Sequence, residues 1–463
     1  MKRFKLLIFF TVLLAALILT ACESKGTPSN SGPDGGEADG QEQAAGRYTA
    51  DGRRIITIGT WYDRYYVSKH TDISDDPQLS APETAAMRLE TVREIEEKYN
   101  IVLEYINLTY DGIRESIAAS ALAKKPEVDI YEVDMQFGIP AVLGGQAVSL
   151  EEMGLAGTDV FEAKTVMEYL KVTGQAETYL FAPANNGAVS AYVLAYNKDM
   201  IKAAGLADPQ DLYDRGEWTW TEWRKQLLAL TKDTTGDGVT DIYGYGGYWT
   251  NLVSNLLMSN GTGIATSDRE TLSSKGTVEV LDFIYAMYNT DKVARPWDNS
   301  NWNINNELYA SGLSGFWIGA DWLFGEQGGA DLPFEIGVVP WPCGPSGNAA
   351  TNKHSKPQSN WYFIPDGVEN PRLVYDVIYD WVNWYDGDLE VGVDVEWSKN
   401  MYMTSRNFAY ATFMDSKPGI DLWDSIGVDA DFAAILRGEI TPAEFVAANS
   451  ELYQTAIDAY MSK

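Results

Sequence analysis

One stretch, from Tyr192 to Gly247, constrains the fold more than any other. Its helix-capping and helix-ending residues stand where its hydrophobic periodicity also predicts that helices begin and end. Val193 to Ala195 is a short apolar run typical of a strand, and Asn197 can cap the helix that follows. Thr219 and Glu222 then have the spacing of a capping box, and an apolar stripe at helical spacing comes next. The pattern predicts a strand, two helices and an Asp- and Gly-rich turn.

Alternating strand and helix signals also fill the region before this stretch. Strand-like apolar runs cover Ile55 to Ile58 and Ile101 to Leu108, and a helical repeat that opens at Pro82 separates them. A second helix, Ile113 to Ala123, leads to a third strand, Val128 to Val133. Strands that alternate with helices predict a parallel sheet with right-handed crossovers. Ligands bind such sheets beyond the carboxyl ends of the strands.

Several short motifs follow one another through the rest of the chain. They are Tyr-Asn-Lys-Asp at 196–199, Ala-Gly-Leu at 204–206, Trp-Thr-Trp at 218–220, the Asp- and Gly-rich turn before Tyr243, the runs FWIGADW and FEIGVVPWP, and NWYFIPDGVENPRLVYDVIYDWVNW at 360–384. Their order and spacing closely resemble those of family 1 extracellular solute-binding proteins, the receptors of ABC sugar importers. The resemblance covers most of the chain after about Arg54. It implies an α/β, two-lobed, periplasmic-binding-protein-like fold, in which each lobe is a mainly parallel sheet flanked by helices and a multi-segment hinge lets the lobes close.

The length and the resemblance together divide the chain into four parts. A chain of 463 residues exceeds what one hydrophobic core usually holds, so two lobes are expected. We predict a signal peptide at 1–21, a lipidated cysteine and flexible tether at 22–53, a first lobe at 54–186 plus 356–386, and a second lobe at 187–355 plus 387–463. The tether is predicted from a stretch rich in Gly, Ser, Pro and acidic residues, which cannot bury enough surface to fold.

The amino terminus has the features of an exported lipoprotein. Basic residues precede an apolar run from Leu6 to Leu19, and small residues precede Cys22. The ending Leu-Thr-Ala-Cys resembles a bacterial lipobox, which implies that Cys22 carries the lipid and that the protein stays at the extracellular face of the bacterial cell membrane. An uncleaved membrane anchor is the alternative, although the run is short for a spanning helix. Cys343 is then left without a disulfide partner and is predicted to be an inert small residue.

Charge and aromatic content limit the classes of partner. A formal net charge of −31 repels nucleic acid and anionic lipid headgroups, so neither is expected to bind and membrane contact is expected through the lipid alone. Aromatic residues make up 12% of the chain, and such residues fill cores or line ligand sites. The family resemblance implies a carbohydrate ligand, two permease subunits with their ATPase as partners, and a monomeric receptor.

Candidate ligand residues follow from the strand-end rule and from the resemblance. Trp61 and Tyr62 come after the first strand and Asp134 after the third, while Trp249 follows a glycine-rich turn. Aromatic faces stack on sugar rings, and carboxylates and amides accept or donate hydrogen bonds to hydroxyls. Local packing and helix capping are the alternative roles. The full set of candidates is Trp61, Tyr62, Asp134, Trp249, Asn251, Asp321, Trp322, which the resemblance places at the cleft wall, and Trp361.

The Asp-rich turn has the spacing of a calcium loop. Oxygens fall at positions 1, 3, 5, 7 and 9 of an EF-hand-like loop, supplied by Asp233, Thr235, Asp237, the Val239 carbonyl and Asp241. The glutamate usual at position 12 is missing, and Gly244 stands there. Both a structural Ca²⁺ site and a metal-free loop built from Asx-turns are consistent with this pattern. No other cofactor is expected.

Binding is favoured over catalysis. The sequence contains no P-loop, no G-x-S-x-G elbow, no H-E-x-x-H and no C-x-x-C, and its two histidines, His70 and His354, are far apart. No catalytic residue is therefore assigned. A secreted glycoside hydrolase or lyase that uses a carboxylate pair is one alternative, because such sites need no short motif. The same fold with a non-sugar solute is the other.

Overall fold

The computed structural model describes residues 47–61, 82–155, 177–181, 191–265, 269–297, 304–326, 332–355, 361–384, 395–419, 421, 423, 426–428 and 430–461. Cys22 and Tyr62 lie outside these residues, as does the predicted signal peptide, and for Asp321 and Trp322 only the backbone is described. Within the described part of the chain, no helix is both long and apolar enough to cross a membrane.

The strands form two four-stranded sheets and a short two-stranded ribbon. They are β1 (Arg54–Thr60), β2 (Ile101–Asn107), β3 (Ile130–Val133), β4 (Val193–Asn197), β5 (Tyr243–Gly246), β6 (Ser314–Gly319), β7 (Ile336–Val339), β8 (His354–Ser355), β9 (Trp361–Phe363) and β10 (Pro418–Gly419). The first sheet has the order β2-β1-β3-β9, the second has the order β5-β6-β4-β7, and β10 pairs with β8.

Helices flank both sheets. They are α1 (Pro82–Tyr99), α2 (Tyr110–Ala123), α3 (Met135–Leu143), α4 (Lys198–Ala203), α5 (Pro209–Asp214), α6 (Trp220–Leu230), α7 (Trp249–Ser259), α8 (Lys275–Tyr285), α9 (Ile304–Ala310), α10 (Asp321–Glu326), α11 (Pro371–Val382), α12 (Val395–Met401), α13 (Ser405–Asp415), α14 (Ala433–Leu436) and α15 (Pro442–Met461). A single π-helical turn, Ala286–Thr290, continues α8.

The first sheet is mainly parallel, as expected. Strand β1 pairs in parallel with β2 and β3, while β9 returns from far along the chain to pair antiparallel with β3. Helix α2 begins at Tyr110, earlier than the predicted Ile113, because the hydroxyl of Thr109 caps it by accepting a hydrogen bond from the Gly112 amide at 3.2 Å. Strand β3 begins at Ile130, two residues later than predicted.

The second sheet departs from the parallel expectation. Strand β4 lies between β6 and β7 and runs antiparallel to both, and the parallel pairing is between β5 and β6. Every residue of β4, β6 and β7 is buried. A strand covered on both faces gives a continuous apolar run whichever way its neighbours run, so the sequence pattern did not indicate its direction.

Local signals in the most constraining stretch are confirmed. The side chain of Asn197 accepts a hydrogen bond from the Met200 amide at 3.0 Å and so caps α4. The hydroxyl of Thr219 accepts from the Glu222 amide at 3.4 Å at the start of α6. Gly205, just beyond α4, has a φ of 65°, a conformation that residues with a side chain seldom adopt.

Large aromatic side chains make up much of the core around the second sheet. Trp223 is fully buried and meets the rings of Tyr245, Phe316 and Trp341 edge to face, with centroids 6.0 to 6.1 Å apart. Trp317 stacks on Tyr309 at 4.6 Å. Much of the high aromatic content therefore serves packing, which is worth about 1.5–3 kcal/mol for each fully buried large apolar side chain.

The end of the predicted tether is ordered in the structure. Arg47 donates to the buried carboxylate of Asp129 at 2.8 Å, and the Arg47 carbonyl accepts from the Ile55 amide at 2.7 Å. The Thr49 amide donates to the Arg53 carbonyl at 2.8 Å and closes a turn. Composition alone favoured a tether as far as Gly52, but the ion pair to Asp129 fixes the chain from Arg47 onward.

Candidate ligand-binding site

The carboxyl ends of β1, β2 and β3 meet at one edge of the first sheet, and an aromatic residue follows each of them. Trp61 follows β1, Tyr110 opens the helix after β2, and Phe137 lies in the helix after β3. The rings of Trp61 and Tyr110 meet edge to face with centroids 6.3 Å apart, and those of Tyr110 and Phe137 do so at 5.0 Å. These three residues are called the aromatic cluster below.

Polar groups border the aromatic cluster. The side-chain amide of Gln136 donates to the Tyr110 hydroxyl and, at 3.3 Å, to a carboxylate oxygen of Asp134. Asp134 occupies the N-cap position of α3, yet its side chain makes no capping hydrogen bond. The alternative role of Asp134 as a helix cap is therefore not supported by its side-chain contacts.

A cation also lies at the aromatic cluster. The guanidinium carbon of Arg114 lies 5.3 Å from the centre of the Phe137 ring, and within the described residues Arg114 forms no ion pair. Arg114 is four residues after Tyr110 in α2, so the two side chains share one helix face. Side chains of a helix lean toward its amino terminus, which here is the edge where the strands end.

The sequence patterns selected Trp61 and Asp134 as candidates but did not select Tyr110 or Arg114. The strand-end rule was applied after the first and third strands and not after β2, which contributes to the same edge. Tyr110 is 44% exposed and lies beside the ring of Trp61, so the two rings offer a shared surface at this edge. Applying the rule to every strand of the sheet would have selected Tyr110.

The second sheet presents its candidates at a corresponding edge. Because β5 and β6 are parallel, Trp249, which follows β5, and Asp321, which follows β6, come after strand ends at the same edge. The hydroxyl of Tyr248 accepts a hydrogen bond from the side-chain amide of Asn306 at 2.8 Å. The side-chain amide of Asn305 donates a hydrogen bond to the Gly247 carbonyl at 3.2 Å. This glycine-rich turn is thereby fixed to α9.

Trp249 and Asn251 are only partly available to a ligand. Trp249 is half-buried; its ring stacks on Phe432 at 6.3 Å and is tilted against Trp423 at 6.0 Å. Asn251 is also half-buried and accepts from the Thr250 hydroxyl at 3.4 Å. Both lie at the predicted edge, and part of the surface of Trp249 is used in packing.

Trp361 lies in the core. It is 2% exposed, opens β9 and pairs in register with Val133 of β3. The sequence motif placed this tryptophan at the start of a strand but did not show which side it faces. In this structure the indole contributes apolar packing and offers almost no surface to a ligand.

In the Asp-rich turn, the carboxylates accept hydrogen bonds from the loop itself. Asp233 accepts from the amides of Gly236 at 2.6 Å and Gly238 at 2.8 Å, and Asp237 accepts from the Val239 amide at 2.9 Å. The Gly238 amide is the main cause that lowers the pKa of Asp233. Asp241 accepts from the amide and hydroxyl of Thr234, and that hydroxyl lowers its pKa.

No ready-made metal site is visible in the described parts of the chain, since no three acidic, histidine or cysteine side chains there converge around one point. The loop carboxylates of the turn are directed at amides, which is the geometry of Asx-turns. A calcium ion would require these oxygens to turn toward a common centre.

Comparison with known proteins assigns the family. Residues 80–387, well over half of the chain, match the profile described as bacterial extracellular solute-binding protein. The chain belongs to this family. No curated protein sequence matches it. Members of this family are solute-binding proteins.

Solved structures confirm the two-lobed, periplasmic-binding-protein-like α/β fold. The cyclic α-maltosyl-1,6-maltose binding protein of Arthrobacter globiformis shares 18% identity, with a TM-score of 0.57, over 88% of this chain and 99% of that one. The GacH receptor of Streptomyces glaucescens, solved with acarbose, shares 15% identity over 87% and 98%, with a TM-score of 0.58. UgpB of Mycobacterium tuberculosis, solved with glycerophosphocholine, shares 15% over 88% and 99%, with a TM-score of 0.60.

Proposed function

We propose that this solute-binding protein is the lipid-anchored receptor of an ABC importer and that it captures a carbohydrate, in particular an oligosaccharide, between its two lobes. Family membership supplies the solute-binding role. The similar GacH receptor was solved with acarbose, and the similar protein of Arthrobacter globiformis binds cyclic α-maltosyl-1,6-maltose. The observation that carries the proposal for this chain is the aromatic cluster at the strand ends of the first sheet, in which Tyr110 is exposed and Trp61 is half-buried. Phe137 is 4% exposed, so it supports the ring of Tyr110 and offers almost no surface of its own to a ligand.

The chemistry of the cluster suits a sugar. The C–H faces of a pyranose ring are apolar and stack on aromatic rings, while its hydroxyls need hydrogen-bond partners around the rim. The Asp134 carboxylate can accept hydrogen bonds from sugar hydroxyls, and the side chains of Gln136 and Arg114 can donate hydrogen bonds to them. A low-micromolar dissociation constant corresponds to about 8 kcal/mol, which a few stacked rings and several hydrogen bonds can supply.

The second lobe completes the proposed site. Trp249, Asn251, Asp321 and Trp322 follow strands at one edge of the second sheet, and closure would bring that edge to the ligand. We place the lobes at 54–186 plus 356–386 and at 187–355 plus 387–463. The closed form would present one composite surface to two permease subunits, whose ATPase provides the energy, and Cys22 would hold the monomeric receptor at the extracellular face of the membrane.

A glycan panel tests the proposal directly. Calorimetry of the mature chain with neutral oligosaccharides is expected to give heat of binding without new reducing ends. X-ray scattering of the same mixtures is expected to show a smaller radius of gyration, because the lobes close. New reducing ends would instead identify a glycoside hydrolase, and would overturn the receptor assignment.

A non-sugar solute is the second candidate, because UgpB, a protein of the same fold, was solved with glycerophosphocholine. The panel therefore includes glycerophosphocholine and short peptides. Binding of one of these, with silence across all glycans, would replace the carbohydrate while retaining the receptor role.

A further inference from the structure

The turn between β2 and α2 contains a strained residue at the ligand edge of the first sheet. Thr109 has a φ of 64° and a ψ of 162°, a combination that glycine adopts readily and other residues almost never adopt. Within the described residues, Thr109 is the only β-branched residue with a positive φ. Such a side chain makes a positive φ more unfavourable still. Backbone strain of this kind persists only where surrounding contacts enforce it, and it clusters at ligand sites.

Contacts on both sides of Thr109 enforce its conformation. On the strand side, the Leu108 amide donates to the Thr60 carbonyl at 2.8 Å. The Leu108 side chain fills the space over Gly59, where a Cβ atom would lie 2.9 Å from it. On the helix side, the Ile113 amide donates to the Thr109 carbonyl at 3.1 Å, and the Ile113 side chain is fully buried. The chain is thereby fixed immediately before and after the turn.

Polar groups of the turn stabilise the same conformation. The Thr109 amide donates to the side-chain oxygen of Asn107 at 2.9 Å, and the Thr109 hydroxyl accepts from the Gly112 amide at 3.2 Å. A Cβ atom on Gly112 would lie 3.0 Å from that hydroxyl, so glycine leaves room for the cap. These hydrogen bonds offset part of the strain.

The placement of Tyr110 depends on this conformation. Strands β1 and β2 pair in register as far as Thr60 and Asn107, so Trp61 and the turn leave the sheet at the same level. Two residues further on, Thr109 turns the chain into the helix that Tyr110 opens. The Tyr110 ring therefore lies beside that of Trp61, with 6.3 Å between centroids. If Thr109 relaxed to a negative φ, α2 would leave β2 in another direction and the two rings would separate.

We infer, on the basis of the proposed function, that Thr109 is a positioning residue of the carbohydrate site, whose strained backbone holds the Tyr110 ring beside Trp61 before a sugar arrives. A ring that is already in place loses little conformational freedom when a ligand stacks on it, which raises affinity. Threonine is compatible with this conformation through its hydroxyl cap, and glycine would be compatible with it through its conformational freedom.

Two substitutions remove the hydroxyl but have opposite effects on the backbone. Thr109→Val keeps a branched side chain and loses the cap, so the residue is expected to relax to a negative φ. Thr109→Gly also loses the cap but adopts a positive φ without strain, so the turn is expected to persist. Thr404 provides the matched control. It is an exposed N-cap threonine with an ordinary φ of −131°, and its hydroxyl accepts from the Asn407 amide at 3.1 Å.

Fluorine NMR of the ligand-free mature protein, with 3-fluorotyrosine in place of Tyr110, reports the position of this ring. Trp61→Leu removes the neighbouring indole and gives the reference shift for a separated ring. Thr109→Val is expected to move the resonance toward this reference, whereas Thr109→Gly, Thr404→Val and Thr404→Gly should leave it in place. In calorimetry with the tightest glycan of the panel, Thr109→Val should weaken binding about two- to tenfold, and Thr109→Gly less than about twofold.

A resonance that Thr109→Val leaves in place, or that Thr109→Val and Thr109→Gly displace equally, would overturn the inference, as would glycan affinity that survives Thr109→Val. Circular dichroism checks that each variant is folded, and Thr109→Ala replaces Thr109→Val if that variant does not fold. If no glycan binds while the resonances follow the expected order, the proposed function fails and the placement of Tyr110 by Thr109 stands. If glycans bind but the Thr109 variants change neither readout, the inference fails and the receptor role stands.

Discussion

The rings of Trp61 and Tyr110 meet edge to face, 6.3 Å between centroids, although they follow different strands of the first sheet. Only the parallel pairing of β1 with β2 brings them together. Each ring supports the other in one orientation, so a ligand that stacks here meets a surface that is already ordered.

Tyr110→Ala tests this arrangement. The variant loses an exposed ring and also the support of Trp61, and we expect oligosaccharide affinity to fall by about 1.5–3 kcal/mol, or roughly ten- to 150-fold. Calorimetry with the tightest glycan of the panel measures the change. Tyr48→Ala is the matched control, because Tyr48 is 39% exposed and bonds to Glu369 away from the cluster. A loss of the same size in both variants would rule out a specific role for Tyr110.

A buried ion pair holds the start of the first sheet. Arg54 donates to Asp129 at 2.8 Å, and the other carboxylate oxygen accepts from the amide and the hydroxyl of Thr57, each at 3.0 Å. Asp129→Asn would leave the Arg54 cation buried without a counter-ion, so we expect the free energy of unfolding in urea to fall by about 3–5 kcal/mol. Asp51→Asn, which breaks the exposed pair with Arg53, should cause no measurable change. Comparable stability of Asp129→Asn and the parent would contradict this account.

His354 predicts a pH dependence of stability. It is 6% exposed in β8, and burial, with the charge of Lys417 as a smaller cause, lowers its pKa from 6.5 to about 4. Between these values the unfolded chain binds a proton that the folded chain does not, so the free energy of unfolding falls as the pH drops from 6.5 to 4. The full effect of this shift is about 3 kcal/mol.

Urea unfolding at pH 7 and pH 4 measures this contribution. His354→Gln and His354→Phe both remove the titrating ring, and each should lose about 3 kcal/mol less stability on acidification than the parent does. Identical losses in the parent and in both variants would show that His354 takes up a proton as readily in the folded chain as in the unfolded chain, and would contradict the lowered pKa.

Local features of this fold could be predicted from sequence, and long-range ones could not. The caps at Asn197 and Thr219 depend on residues three positions apart, which the sequence shows directly. The direction of β4 depends on pairing with β6 and β7, which come more than a hundred residues later. A buried apolar run is compatible with either direction.

The same limit applies to the candidate site. Trp61 and Asp134 could be selected because each directly follows a strand signal. Trp361 follows no such rule, and the antiparallel return of β9 to β3 decides that its ring enters the core. Arg114 lies within a helix, and only the contact between α2 and Phe137 reveals its place beside the aromatic cluster.

The Asp-rich turn offers a last test, because its sequence has the spacing of a calcium loop while its carboxylates accept hydrogen bonds from loop amides. Each oxygen that turns toward an ion gives up an amide hydrogen bond, so binding must offset that loss. If the calcium prediction is right, a chelator should lower the melting temperature of the parent by a few degrees, since an ion bound to the folded state stabilises it. Asp237→Ala should lower the melting temperature similarly and remove the response to chelator, whereas Asp111→Ala should leave the response intact. A parent that melts at the same temperature with chelator and with added Ca²⁺ would identify the turn as a metal-free loop held by Asp233 and Asp241.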